Sequence, residues 1–88
     1  MNDAIDLLKR YGRERDEEAF REVVARFFGL VNGVALRRLN GNEAAALDVT
    51  QMVFADLARK AAGFPEETLL GGWLHSHTCF VASKFIRS

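Results

Sequence analysis

Length and composition restrict the chain to a small folded domain. The 88 residues are 49% hydrophobic, which suits one domain, residues 1–88, with a single core. No apolar run approaches the roughly 20 residues that cross a bilayer, and the amino terminus lacks the basic-then-apolar order of a signal peptide. We therefore expect a cytoplasmic protein with no membrane partner. The lone Cys79 agrees with a reducing compartment.

The charge balance narrows the classes of partner. The chain has 12 lysines and arginines and 12 aspartates and glutamates, so its net charge is zero. A neutral chain is unlike a duplex-binding protein, which presents a large basic surface. The distribution is uneven, because no acidic residue follows Glu67. The segment after it carries the basic and titratable side chains His75, His77, Lys84 and Arg87. Any nucleic-acid contact is therefore expected at this end, although the two cations could equally offset the dipole of a terminal helix.

Helical periodicity dominates the sequence and predicts an all-α fold, a compact bundle of about four helices. The first helix is predicted from Ala4 to Tyr11, with Asp3 as its N-cap and Gly12 as its end. The apolar face of this helix consists of Ile5, Leu8 and Tyr11.

The second helix is predicted to begin after the N-cap Asp16, with Glu17 and Glu18 favourably placed in its first turn. Its packing residues are Phe20, Val23, Val24, Phe27 and Phe28. The apolar pattern continues beyond Gly29, so this helix either runs on or bends there. Residues 40–42 are predicted to form a turn.

The third helix is predicted from the N-cap Asn42 to about Ala62, before the helix-breaking sequence Gly63-Phe64-Pro65. One stripe of this helix is expected to face the core: Leu47, Thr50, Phe54, Leu57, Ala58 and Ala61. Another stripe carries Asp48, Met52, Ala55 and Arg59, with Gln51 between the two. A polar stripe with an unburied methionine is typical of a protein-binding helix, although an ordinary solvated face gives the same pattern.

A loop is predicted from Gly63 to about Gly72, and a last helix from near Trp73 to the end. Its inward face is expected to hold Leu74, Thr78, Val81, Ala82 and Phe85. A second stripe interleaves aromatic and basic side chains: Trp73, His77, Phe80, Lys84 and Arg87. Aromatic planes stack on unpaired bases for roughly 1–3 kcal/mol each, and cations meet phosphates, so this stripe suits single-stranded nucleic acid. The same rings could instead pack against the other helices.

Four segments, taken in order, resemble a known family. They are Asp16-Glu17-Glu18-Ala19-Phe20, Val34-Ala35-Leu36-Arg37-Arg38, the signature Asp48-x-x-Gln51-x-Val53-Phe54, and Trp73-Leu74 at the start of the last helix. Their order and spacing along the whole chain resemble the second conserved region of a bacterial sigma factor of the extracytoplasmic-function type. In that family this helical domain docks on RNA polymerase and opens the promoter.

The resemblance implies two sets of site residues. The set expected to contact the clamp helices of the largest subunit of the RNA polymerase core is Arg37, Arg38, Asp48, Gln51, Met52 and Ala55. The set expected to contact promoter DNA, mainly the non-template single strand of the minus-ten element, is Leu69, Leu70, Trp73, His77, Phe80, Lys84 and Arg87. The loop from Gly63 to Gly72 would hold a flipped base. An anti-sigma factor is a further partner that the resemblance allows.

The chain departs from the family pattern in several places. Met52 stands where the family often has a glutamate, and Phe80 stands where many members have an asparagine. The last helix also holds fewer arginines than usual, which leaves the preferred promoter bases open. Members normally continue into a helix-turn-helix domain that reads the minus-thirty-five element. That domain is absent from this chain, so we expect a truncated form or a single-domain relative.

Nothing in the sequence indicates an enzyme, a cofactor or a metal site. In His75-x-His77-x-Cys79, residues two apart point to different sides of a helix, so no tetrahedral ligand set forms. Asp48 and Asp56 are about 12 Å apart by helical rise, too far to share acid–base chemistry. We therefore expect a transcription initiation domain without catalytic residues. The alternative is a helical protein-interaction module or regulator that makes no nucleic-acid contact.

Overall fold

Four α-helices joined by short connections make up the computed structural model, which describes residues 3–87. No strand occurs in that range, so the predicted all-α bundle is confirmed. The helices are α1 (Asp3–Glu14), α2 (Glu17–Arg38), α3 (Glu43–Lys60) and α4 (Leu70–Arg87), with a 3₁₀ turn at Ala61–Gly63. The longest helix, α2, packs against each of the other three. Among these helices none combines the length and the apolar character needed to span a membrane.

Local capping signals set where α2 and α3 begin. Asp16 has extended backbone geometry, and its Oδ1 accepts a hydrogen bond from the backbone N–H of Ala19 at 3.2 Å. The Asn42 side chain accepts in the same way from Ala45 at 3.1 Å. Each side chain satisfies one of the amides that a helix leaves unpaired at its start, which confirms both predicted N-caps.

The first helix is longer than predicted, because Gly12 does not end it. α1 continues to Glu14, and Arg15 takes the left-handed backbone, with a φ of 57°, that closes the helix. Asp3 lies inside the first turn, so its predicted capping role is wrong. Glycine is needed at position 12 for another reason. A Cβ there would lie 2.5 Å from the backbone nitrogen of Ala62, so only glycine lets α1 approach the 3₁₀ turn this closely.

The second helix runs unbroken through Gly29 and Gly33. Of the two predicted possibilities, a continuous helix or a bend at Gly29, the structure has the continuous helix, with 22 residues. The turn predicted after it is confirmed. Asn40 and Gly41 adopt positive φ angles of 55° and 80° there. α3 ends at Lys60 and passes directly into the 3₁₀ turn, close to the predicted boundary.

One hydrophobic core lies between the four helices. Its fully buried members include Ile5, Leu8, Val23, Val31, Val49, Val53, Leu57 and Leu74. Two side chains expected to pack inward, Leu47 and Phe28, are exposed instead. On α3 the buried stripe is centred on Val49 and Val53, which turns Leu47 outward, and its predicted place in the core is wrong.

The last helix begins at Leu70, three residues before the predicted start at Trp73, so the preceding loop is shorter than expected. Leu70 packs in the core, and its burial stabilises a helical start that includes Gly71 and Gly72, although glycine is a weak helix former. The predicted inward face of α4 is confirmed. Leu74, Thr78, Val81 and Ala82 are buried, and Phe85 is half-buried.

Candidate protein and nucleic-acid interface

The outer face of α3 holds most of the residues for which a polymerase contact is predicted. Asp48, Gln51, Met52 and Ala55 are all exposed, and Met52 is 44% exposed. We call these four residues the α3 face. A methionine that stays this accessible is free to pack on a partner, where its flexible thioether adapts to irregular surfaces.

The two arginines of the same predicted set lie on another helix. Arg37 and Arg38 are exposed in the last turn of α2. The short turn that follows keeps this end of α2 close to the first turn of α3. Cations at a helix C-terminus also offset the helix dipole, so both residues have a stabilising role besides any contact with a partner.

Three aromatic rings form a column along one side of α4. The rings of Trp73 and His77 are stacked, with centroids 4.6 Å apart and an interplanar angle of 17°. Phe80 follows His77 at 6.0 Å and 29°. Residues three and four apart lie one turn apart on a helix, which is why these rings align. The structure therefore brings together the aromatic members of the stripe that the sequence predicted.

The inner end of the column belongs to the core. Trp73 is half-buried, and its ring lies edge-on to the buried ring of Phe64 at 5.0 Å and 89°. Such a pair stabilises a fold by about 0.5–1.5 kcal/mol beyond the burial of its area. Trp73 thus anchors the start of the loop, and only part of its ring faces solvent.

His77 is held more firmly than its neighbours in the column. Its side chain is 16% exposed, and its Nε2 lies 2.8 Å from Oδ2 of Asp56 on α3. Because an ionised carboxylate only accepts hydrogen bonds, Nε2–H is the donor of this bond. Asp56 also forms an ion pair with Arg59. Sequence reasoning did not assign Asp56 to the site, because the two partners are 21 residues apart and lie on different helices.

Burial of the His77 ring lowers the pKa of the imidazole from its ordinary value of 6.5, and the nearby Lys60 ammonium lowers it further. The Asp56 carboxylate acts in the opposite direction, but it shares its charge with Arg59. The lowered pKa favours the neutral form of the ring at pH 7. The cations of the stripe that face a phosphate are therefore Lys84 and Arg87.

The outer end of the column is open to solvent. Phe80 is 57% exposed, and Nζ of Lys84 lies 5.2 Å from the centroid of its ring. Arg87 is exposed in the last turn of the same helix. We call Phe80, Lys84 and Arg87 the α4 edge. An exposed ring on a helix that carries two nearby cations offers a base a stacking platform and offers phosphates their counter-charge.

The loop before α4 separates the two leucines that were expected to contact DNA. Leu69 is 78% exposed and can reach a ligand. Leu70 is only 2% exposed, so its predicted DNA contact is wrong, because its side chain is part of the core. The two neighbours differ because Leu70 is the first residue of α4 and Leu69 is the last residue of the loop.

Leu69 also lines an open cavity of about 1000 Å³ between the loop and the first two helices. The carboxylates around this cavity are Asp3, Asp6, Glu66 and Glu67. The one cation there, Arg26, pairs with Glu22 at 2.6 Å. A phosphate backbone would be repelled by this lining, which makes the cavity unsuited to nucleic acid. The acidic side chains from α1 could not be placed here from the sequence, because they come from a distant segment.

The His75-x-His77-x-Cys79 tract does not converge on one point. His75 is exposed, His77 is bonded to Asp56, and Cys79 is half-buried. Within residues 3–87, no group of three or more His, Cys, Asp or Glu side chains is placed to hold a metal ion.

Comparison with protein-family models, with curated proteins and with solved structures finds no match to the chain. The candidate site is therefore defined by its own geometry. It consists of the α3 face, the α4 edge, and the hydrogen bond between Asp56 and His77 that links the two helices.

Proposed function

We propose that the chain is a transcription initiation domain that docks on bacterial RNA polymerase and captures the unpaired non-template strand of the promoter minus-ten element. The observation that carries this proposal is the α4 edge, where an exposed aromatic ring adjoins Lys84 and the same helix carries Arg87 in its last turn. A base stacked on Phe80 would displace the Lys84 ammonium, which lies over this ring, and would continue the aromatic column outward. Lys84 and Arg87, which follow Phe80 along α4, would pair with phosphates of the same strand.

The same chemistry favours an unpaired strand over a duplex. Affinity for duplex DNA comes largely from the number of neutralised phosphates, and a chain of net charge zero with two cations at the α4 edge neutralises few. Stacking on Phe80 also requires a base outside its helix. Extracting that base from a duplex costs a few kcal/mol, a cost that an unpaired strand avoids.

The α3 face supports the docking half of the proposal. Asp48 and Gln51 offer a charge and an amide for hydrogen bonds, and Met52 adds an apolar contact. A helix laid on another helix depends on a few central side chains of this kind. The face lies on a different helix from the α4 edge, so polymerase and DNA need not compete for the same side chains. The role would be cytoplasmic.

A pull-down with the RNA polymerase core tests the docking half. Asp48→Arg and Gln51→Ala should each reduce the captured amount without unfolding the domain, because both side chains are exposed. Glu14→Arg reverses an exposed charge at the far end of α1 and serves as the matched control. Docking through α3 is ruled out if both α3 variants are captured as well as the unchanged chain.

A helical protein-interaction module without nucleic-acid contact is the second candidate function. It is favoured by the partial burial of Trp73 and by the bond between His77 and Asp56, which together leave Phe80 as the one mostly exposed ring of the column. A single open ring gives less stacking surface than three. This candidate would replace the first if the α4 edge had no part in strand binding.

A further inference from the structure

An open apolar groove separates α3 from α4. It encloses about 350 Å³ and is lined by Met52, Asp56, Phe80, Val81, Lys84 and Phe85. Met52 and Phe80 are two of the large hydrophobic side chains that remain exposed in the fold, and they come from different helices. Sequence reasoning assigned them to separate surfaces. In the structure they line one groove.

The free charge along this groove is positive. Its one carboxylate, Asp56, is already paired with Arg59 and bonded to His77. Lys84 lies at the groove with its ammonium over the Phe80 ring, and α4 contains no acidic residue. The groove therefore combines apolar walls with a cation that can still pair with an anion.

We propose that this groove binds an acidic amphipathic helix of a partner protein. An apolar side chain of that helix would insert between Met52 and Phe80, and a carboxylate about one turn away would pair with Lys84. This is the helix-in-groove mode, in which apolar anchors supply most of the affinity and the charge pair fixes the orientation.

A nucleic acid fits the groove less well than it fits the outer α4 edge. Along the groove a phosphate backbone would meet the apolar side chains of Met52, Val81 and Phe85 and the cation Lys84, whereas the α4 edge adds Arg87. A bound helix would cover Met52 of the α3 face and Phe80 of the α4 edge at the same time. The inference does not rest on the proposed transcription function, because the groove exists whatever binds elsewhere.

The probe is a labelled synthetic peptide of about 15 residues, long enough to be helical, with leucines on one face and glutamates beside them. The control probe has lysine in place of every glutamate. Fluorescence anisotropy with the whole chain, in the absence of DNA and polymerase, should show saturable binding of the glutamate peptide. The lysine peptide should bind at least about tenfold more weakly.

Variants of the chain then locate the site. Phe80→Ser and Lys84→Glu should each weaken binding of the glutamate peptide about tenfold or more. Lys84→Glu should in addition bind the lysine peptide more tightly than the unchanged chain does. Matched controls are Phe28→Ser, another exposed aromatic, and Arg13→Glu, another exposed cation, and neither should alter binding. Circular dichroism confirms that each variant is folded.

Three results would overturn the proposal: no saturable binding of the glutamate peptide, equal binding of the two peptides, or binding unaffected by both groove variants. Binding of single-stranded DNA but of neither peptide would also overturn it and would assign the groove to nucleic acid. The peptide experiment contains neither DNA nor polymerase, so its outcome does not depend on whether the chain binds either of them. The two proposals can therefore fail separately.

Discussion

Nε2 of His77 lies 2.8 Å from Oδ2 of Asp56, and this hydrogen bond fastens α4 to α3 next to the exposed ring of Phe80. Arg59 pairs with the same carboxylate, and the ring of Trp73 stacks on the imidazole of His77. The α4 edge is thereby held at a fixed position relative to α3. One titratable ring lies at the centre of this arrangement.

The stability of the domain should depend on pH through this ring. Because folding lowers the pKa of His77 from 6.5, the unfolded chain binds the proton more tightly than the folded chain. The free energy of unfolding should therefore be highest above about pH 6.5 and should fall as the pH drops from there to the lower pKa of the folded state. Denaturant titrations across this range measure the slope, and His77→Gln should lack its contribution.

Nuclear magnetic resonance titration of the imidazole signals measures the same pKa directly, and His75→Gln identifies which of the two histidines gives each signal. Asp56→Asn should lower the pKa of His77 further, because it removes the one charge at the ring that favours the protonated form. A pKa of His77 above 6.5 in the unchanged chain would mean that Asp56 outweighs burial and Lys60, contrary to this expectation.

Met52 and Phe54 should respond oppositely to substitution. Met52 is exposed, so Met52→Glu should change the free energy of unfolding by no more than about 0.5 kcal/mol. Phe54 is buried on the core side of the same helix, so Phe54→Ala should cost roughly 3–5 kcal/mol. Thermal melts of both variants make the comparison. Similar shifts for the two would show that α3 is rotated about its axis, so that Met52 and Phe54 are equally buried.

Gly12 and Gly29 form a second matched pair, because each lies inside a helix. An alanine Cβ at position 12 would meet the backbone of Ala62, whereas nothing lies within 4 Å of one at position 29. Gly12→Ala should lose about 1–3 kcal/mol of stability through this clash, despite the better helix propensity of alanine. Gly29→Ala should gain about 0.5–1 kcal/mol. If both substitutions stabilise the chain, α1 does not approach the 3₁₀ turn this closely.

The sequence allowed the helix starts at Asp16 and Asn42 to be predicted, because capping depends on a side chain and an amide three residues away. The end of α1 and the start of α4 were not predictable in this way. Gly12 continues its helix because of a contact with a distant turn, and Leu70 joins its helix because the core buries it. Tertiary contacts override local propensity at both positions.

The candidate site was predictable to a similar degree. Helical projection placed Trp73, His77 and Phe80 on one side of α4, because that alignment follows from the helical period alone. Projection cannot say what faces a side chain from another helix. The partner Asp56 and the burial of His77 therefore emerge only from the packing of α3 on α4.

Capture of an unpaired strand by the α4 edge is tested most directly by titrating labelled single-stranded and duplex forms of one minus-ten promoter sequence with the whole chain. The single strand should bind more tightly than the duplex, and Phe80→Ser, Lys84→Ala and Arg87→Ala should each weaken that binding. Phe28→Ser and Arg13→Ala, exposed side chains on other helices, should leave it unchanged. Equal affinity for the two forms of DNA, or no response to any substitution at the α4 edge, would contradict strand capture and favour the protein-interaction module.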